Sequence, residues 1–585
     1  LIYNKAMKTL LTTLNSKFIH SNLAIRLIRA YCIEDFPGIE LAEYTINDRY
    51  EKVISDIARK RPDLIGFSCY IWNIRETLDI AATIKKILPE AKIILGGPEV
   101  SYDSVETMTK HPCIDYIAVG EGEQILYDLL RCMKSSGDLR NVAGLTWRSG
   151  EGIHFNGHPH DLPLDSIPFP YYEGLGDLKD KIIYYETSRG CPYRCQFCLS
   201  SNSKRVRFLS LDRIKRDLKF FIDAGVPQVK LIDRTFNCDP GRAKEIFSYL
   251  ISLGGNTNFH FEIAGDIIDD ETISILKNAP AGLFQFEAGI QSTNPHTLKA
   301  VQRMTALGKL EKNISEIIKN DNIHVHLDLI AGLPEDDLSS MARSVNAVMR
   351  LRPHRLQLGF LKLLKGSGLR SNARQYEYKY TDYPPYEVLS SRSISYDDLA
   401  RLKLIEEMIE VYYNSHRFDK VMAQLFKIYN DDAFRLFGDL SRFWLDRGYF
   451  SRSHSNHDLY VIMREFIESS QMASANILLD CILFDYCRHA KPGRYPAGLE
   501  PKADQRTKER IRQFLSDDDN LKKYIKGYEG QFPKQHMRKI HIEVFRYPVE
   551  RDDVLGCGRA DTAIMFCYDQ RVGVLRKAAF YKLDL

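Results

Sequence analysis

Along residues 8–135 short apolar runs alternate with stretches in which apolar residues recur every three or four positions. The first pattern fits buried strands and the second amphipathic helices. Strands are expected over 8–13, 39–43, 64–68, 92–96 and 116–119. Helices are expected over 21–32, with Ser21 as the cap, and over 49–60, 73–88, 100–110 and 123–135. Five strands alternating with five helices predict an α/β fold, a doubly wound parallel sheet spanning 7–150. Such sheets bind ligands beyond the carboxyl ends of their strands. Three of those ends carry glycines or small polar residues: 66–72, with Ser68, Tyr70 and Trp72; 96–99, with Gly97; and 120–123, with Glu121. Glycine lets a backbone approach a ligand closely. One such end is as well explained by an ordinary turn; three on one edge point to a site.

The same alternation resumes further on. Strands are expected over 182–185, 228–232, 258–263, 283–288, 324–329 and 355–363, with helices such as 212–224 and 240–252 between them. Six strand–helix units predict a partial (β/α)6 barrel over 181–370, joined to the first domain by a linker at 151–180. The C-terminal accessory region, 371–585, reads as mainly helical (397–416, 455–468, 474–488) and ends in strands over 540–545, 562–568 and 571–581. The segment 376–386, dense in Tyr and Pro, is expected to cross the barrel's open flank as a cover.

Composition narrows the class. Among 585 residues, 44% are hydrophobic and 27% charged, which excludes global disorder or a rod. The net charge of +4 gives no case for a polyanionic partner. No apolar run reaches the ~18 residues of a membrane span. Residues 1–6 lack the charged start and apolar core of a signal peptide, so the twelve cysteines are expected in a reducing, cytoplasmic setting, with no membrane partner.

Three of those cysteines, Cys191, Cys195 and Cys198, fall within eight residues at spacing Cys-x3-Cys-x2-Cys. Thiolates at this density suit three corners of a cubane iron–sulfur cluster, leaving one iron for a non-protein ligand. Structural zinc would need a fourth ligand, and the nearest histidines, His154, His158 and His160, lie upstream of the preceding strand.

The loop from Glu186 to Cys198 resembles the signature of radical S-adenosylmethionine enzymes. Gly289-Ile290-Gln291-Ser292 and the stretch Asp328-Leu329-Ile330-Ala331-Gly332-Leu333-Pro334 are similar to that family's fourth- and fifth-strand signatures. The resemblance implies a [4Fe–4S] cluster on Cys191, Cys195 and Cys198, and S-adenosylmethionine chelated to the open iron and cleaved to a 5′-deoxyadenosyl radical. It also implies that the backbone at Phe197 contacts adenine. Glu262 and Glu287 become candidates for the ribose or amino group, and Arg303 for the carboxylate; ordinary ion pairs are the alternative for all three.

A sheet domain placed before such a barrel resembles the cobalamin-binding subgroup, here with a C-terminal domain of unknown function. Ser68, Tyr70, Trp72, Gly97 and Glu121 would then line a cobalamin site. The Asp-x-His-x-x-Gly loop that supplies a cobalt ligand in cobalamin mutases is missing, with His20 the only nearby histidine. A sheet that serves only as scaffold is the rival reading. The resemblance implies a cobalamin-dependent methyltransferase acting on an unactivated carbon, or a related rearrangement or reduction. It implies an unknown substrate (small molecule, peptide or nucleic acid) and an electron donor such as flavodoxin or ferredoxin. Two alternatives stand beside it: a transfer-RNA methylthiotransferase, in which Cys32, Cys69 and Cys113 would gather in space, and a non-enzymatic cobalamin or redox sensor.

Overall fold

The computed structural model describes residues 7–203, 205–500, 504–525 and 539–584. Seven strands form the first sheet, in the order Ile39–Thr45, Thr9–Asn15, Leu64–Ser68, Lys92–Gly96, Tyr116–Ala118, Leu145–Ser149, Gly152–Phe155. The first five pair in parallel, as expected, and the last two add an antiparallel hairpin at one edge. That hairpin falls partly in the segment expected as a linker. Its strands are short and rich in polar residues, so they carry no apolar run to mark them. Consecutive residues feed opposite faces: Leu10, Ile65 and Ile93 pack on one side, and Leu11, Leu64 and Ile94 on the other. The chain leaves Thr9–Asn15 in one direction for Ile39–Thr45 and in the other for Leu64–Ser68, so the switch point that opens a crevice lies at Thr9–Asn15.

The first helix runs over Leu23–Cys32, and its cap is Asn22, whose side chain accepts from the Ile25 N–H at 3.1 Å. Ser21 instead donates its hydroxyl to the Ile182 carbonyl at 2.8 Å, which fastens the helix start to the barrel. The helix expected over 100–110 is broken into Pro98–Ser101 and Ser104–Lys110.

Six parallel strands in sequential order make the second sheet: Ile183–Tyr185, Gln228–Leu231, Asn258–Ile263, Phe284–Gln291, His324–Ala331 and Arg355–Phe360. This is the partial barrel that the alternation predicts. Phe261, Phe284 and Phe286 lie against Phe247 of the helix Pro240–Leu253, with ring centroids 5.3–5.6 Å apart. Strand residues alternate, so His260, Glu262 and Glu287 must face the barrel interior. Residues 156–182 connect and also pack. Leu164, Ile167, Phe169 and Tyr171 are buried in the barrel core, and Phe169 meets the edges of Phe220 and of Tyr172.

Behind the barrel, helices Tyr396–Met408, Asp419–Ile428, Ala433–Asp446, Asn456–Ser469 and Ala475–His489 share one continuous core with it. An antiparallel sheet of Ile540–Phe545, Thr562–Val572 and Lys577–Leu583 closes the chain, as the alternation predicts. Among the described residues no helix is long and apolar enough to cross a membrane.

Candidate active site

Strand Ile183–Tyr185 leads into Ser188–Arg189, which pairs antiparallel with Arg207–Phe208. The cysteine loop is the excursion between them. Asp233, fully buried at the end of the next strand, anchors its root. It accepts from the Thr187 N–H at 3.0 Å and from the hydroxyls of Thr187 and Ser188 at 2.5 Å. Gly190 turns the chain at φ +102°; a Cβ there would lie 2.3 Å from the Arg205 carbonyl oxygen, so glycine is required. Further along, Gln196 is clamped through its backbone, donating to Val301 O at 3.0 Å and accepting from Leu369 N at 2.8 Å.

Cys191, Cys195 and Cys198 line one cavity of about 170 Å3, together with Phe197, Glu262, Glu287 and Arg303. All six residues expected to serve the cluster and S-adenosylmethionine, and Phe197 with them, therefore meet in space. Burial raises the Cys195 thiol, and Arg303 opposes the rise, its Nη1 lying 3.7 Å from the sulfur. Another arm of Arg303 donates to the Gly289 carbonyl, and its Nε is buried without a partner. The two glutamates differ. Glu287 is engaged by Lys230 Nζ at 3.1 Å and His260 Nε2 at 3.0 Å. Burial pushes its carboxyl up, but the His260 contact and the charge of Lys230 outweigh it and hold the group at about 2. Glu262 has no hydrogen bond or ion pair among the described residues, and burial raises it to about 7, against the pull of Arg234. Glu262 is thus the carboxyl open to a cationic ligand. No residue of 376–386 reaches this cavity. Tyr378 donates to Gly332 O at 2.8 Å and Tyr386 to Glu99 Oε2 at 2.9 Å, so that segment runs along the ends of the barrel's last strands and ties them to the first domain without lining the cavity.

A second cavity, of about 480 Å3, opens at the carboxyl edge of the first sheet. Ser68, Tyr70, Trp72, Gly97 and Glu121 all line it, as the strand-end pattern predicts. Tyr70 and Trp72 stack at 4.5 Å with their planes 5° apart. Gly97 adopts φ +111°, and a Cβ there would meet Cys69 O at 2.5 Å. Glu121 is committed elsewhere: it pairs with Arg189 at 2.9 Å and with Arg207. His20 also lines the cavity and shares a hydrogen bond of 2.7 Å with the Tyr184 hydroxyl. The opposite wall is the barrel's own, from Tyr184, Glu186, Arg189 and Ile232. The lining is mostly glycine and aliphatic, with a minority of polar side chains among them, which fits a broad ligand that is largely apolar with a few polar groups.

Sequence reading assigns no role to Arg189, although it precedes the cysteine loop. Its guanidinium reaches Glu186 at 2.7 Å, Glu123 at 2.5 Å and Glu121, joining the wall of the large cavity to the root of the loop. Its partners at 121 and 123 are remote in sequence, so no local motif marks the cluster. The expected gathering of Cys32, Cys69 and Cys113 does not occur: Cys32 packs on one face of the first sheet, Cys69 and Cys113 on the other.

Comparison with known proteins agrees with this geometry. Residues 10–130 match the B12 binding domain family, 185–348 the Radical SAM superfamily, and 374–566 a family of proteins of unknown function, DUF4080. The chain is 26% identical over 342 residues to the cobalamin-dependent radical SAM methyltransferase TokK of Streptomyces tokunonensis, covering 55% of this chain and 50% of that one. It is 27% identical over 281 residues to the hopanoid C-3 methylase of Methylococcus capsulatus, covering 46% and 53%. The chain thus spans about half the length of these curated relatives. In fold it is similar to the cobalamin-dependent S-adenosylmethionine radical enzyme OxsB with aqua-cobalamin bound (TM-score 0.60, 15% identity, 87% of this chain and 84% of that one). It is also similar to the radical S-adenosylmethionine methyltransferase TsrM of Kitasatospora setae (TM-score 0.55, 15% identity, 65% and 78%). The chain thus carries, in order, a match to the B12 binding domain family, one to the Radical SAM superfamily and one to DUF4080, and its relatives include cobalamin-dependent radical SAM methyltransferases.

Proposed function

We propose that this protein is a cobalamin-dependent radical S-adenosylmethionine methyltransferase acting on an unactivated carbon. One observation carries the reading: Arg189 and Ile232 line the large apolar cavity while Cys191 and Arg234, two residues further along the same two segments, line the three-cysteine cavity, so ligands of both would sit close together. In this reading 7–150 holds cobalamin and 181–370 holds the cluster and S-adenosylmethionine. When bound, the cluster supplies the electron that cleaves S-adenosylmethionine, and cobalamin supplies a carrier for a methyl group. The chain's own residues do the rest. Cys191, Cys195 and Cys198 ligate iron. The buried guanidinium of Arg303 meets a carboxylate, and Glu262 a cationic amino group. The stacked Tyr70–Trp72 pair and the glycine edge at 96–97 would hold the macrocycle at the carboxyl edge of the sheet. An electron donor such as flavodoxin or ferredoxin completes the system.

Anaerobic reconstitution with iron, sulfide and cobalamin tests this. The expected product is a chain with about four irons and bound cobalamin. With S-adenosylmethionine, reductant and substrate it should release both 5′-deoxyadenosine and S-adenosylhomocysteine. Deoxyadenosine alone would move the enzyme to rearrangement or reduction, and a fully iron-loaded chain that ignores cobalamin would refute the cobalamin half. The transfer-RNA methylthiotransferase alternative loses its second cluster site with the separation of Cys32 from Cys69 and Cys113.

A further inference from the structure

The helix Ala475–His489 is buried along most of its length beneath the C-terminal sheet. Into this apolar layer the chain places groups that packing does not need. Cys487, near the helix end, is fully buried, and Glu543, on strand Ile540–Phe545, is 3% exposed. His541 stands two residues before Glu543, on the same face of the strand. The sulfur of Cys487, Nε2 of His541 and a carboxylate oxygen of Glu543 all lie within 4.8 Å of one another. A fourth group joins them: Tyr495, in the loop after the helix, donates its hydroxyl to Glu543 Oε2 at 2.7 Å and sits 3.2 Å from His541 Nε2.

Among the described residues no lysine or arginine pairs with Glu543; its one ion-pair partner is His541, at 3.3 Å. A buried carboxylate beside a buried thiol is costly unless a cation compensates it. The geometry already approaches that of such a cation. Metal–ligand bonds of about 2.0–2.3 Å give a tetrahedron with edges of roughly 3.3–3.8 Å, and the separation of His541 Nε2 from Glu543 Oε2 is 3.3 Å. A donor set of one thiolate, one imidazole and one carboxylate suits zinc, whereas magnesium and calcium take oxygen ligands.

We propose that Cys487, His541 and Glu543 bind a zinc ion, with the Tyr495 hydroxyl beside the fourth coordination position. Binding sends the Cys487 thiol proton to solvent and leaves the sulfur as a thiolate ligand. The ion pins the end of helix Ala475–His489 to the first strand of the terminal sheet. None of these residues lines either cofactor cavity, so the site is separate from the proposed chemistry.

The test uses the full chain with its iron cluster fully loaded, so that the loop cysteines are occupied. After removal of loosely bound metal, cobalt(II) is titrated in as a spectroscopic substitute. We expect about one equivalent to bind in tetrahedral geometry with a thiolate-to-cobalt charge-transfer band, displaced by zinc. Cys487→Ser should lose that band, and His541→Gln should weaken zinc binding by about tenfold or more, both with unchanged iron content. His541 is partly exposed, so its variant carries the test if Cys487→Ser does not fold. Absence of the band in the wild-type chain, its persistence in Cys487→Ser, or unchanged zinc affinity in His541→Gln would each overturn the proposal.

Discussion

The two cavities occupy equivalent places, the carboxyl ends of parallel strands, yet they are made of different material. The larger is a cradle of backbone and aliphatic surface, shaped by Gly66, Gly96, Gly97, Gly120 and Gly122. The smaller is a nest of thiols, carboxylates and guanidinium groups, with Phe197 and Ile263 among the few large apolar members. A cradle recognises by shape and is sensitive to added volume; a charged nest recognises by ligation and is sensitive to any lost functional group. Substitutions should therefore separate the two, each emptying one cavity and sparing the other.

The largest effect is expected at the cysteines. In Cys191→Ala the cluster loses one of its three protein ligands, so iron content should collapse and S-adenosylmethionine cleavage should vanish. Cobalamin binding should persist, since no cysteine of the loop lines the larger cavity. Iron and cobalt analysis of one preparation checks both halves, and deoxyadenosine formed at the wild-type rate would break the assignment.

The converse substitution is Gly96→Leu. A Cβ at Gly96 meets only the Ala118 Cβ, at an ordinary 3.7 Å, so the strand accepts a side chain that then takes up cavity space. Cobalamin affinity should fall by about tenfold or more, with iron content intact, as read by equilibrium dialysis. Gly97→Ala is the harsher control. Its Cβ has no room beside Cys69 O, and the positive φ adds strain, so the first domain itself should lose about 1–3 kcal/mol.

Arg189 lines the larger cavity and stands two residues before Cys191 of the smaller, so its loss should spare neither. Removing it as Arg189→Met strands Glu123 and Glu186 and leaves Glu121 with Arg207 alone. Breaking a buried ion pair from one side costs about 3–5 kcal/mol. Denaturant unfolding should show that loss, with iron and cobalamin retention falling together; unchanged stability would mean that the two cavities are built independently.

That network also shows where sequence reading stops. Both sheets were legible because buried parallel strands are apolar runs that stand out from their surroundings, and the cluster loop because its ligands are local. The glycine ends of the first sheet were legible for the same reason: each is a short contiguous motif. Arg189 was not, because its meaning depends on carboxylates brought from the other domain by the docking of two sheets. Glu287 and Glu262 looked alike in sequence, each at or near a strand end. Only the neighbours on the two preceding strands, Lys230 and His260, show that one is spoken for and the other open. The Ser21 cap failed on a finer scale: two adjacent residues could cap the helix, and the barrel carbonyl at Ile182 claimed the serine.

The difference between those glutamates gives the smallest expected effect, a pH dependence. Burial raises Glu262 to about 7, so in the ligand-free protein it is largely protonated below neutrality. A folded-state value above the unfolded one means that its contribution to stability is fully present below the ordinary glutamate range and is lost as pH rises through about 7. A cationic ligand reverses the preference, because it favours the carboxylate. S-adenosylmethionine should therefore bind more tightly as pH rises from 6 to 8, by up to about tenfold if binding requires the ionised form. Glu262→Gln should flatten that profile near its low-pH level. Glu287→Gln should leave the slope in place, since Glu287 is already ionised throughout the range. Isothermal titration of the cluster-loaded chain at several pH values reads the slope. A wild-type profile no steeper than that of Glu262→Gln would show that Glu262 does not face the bound cation.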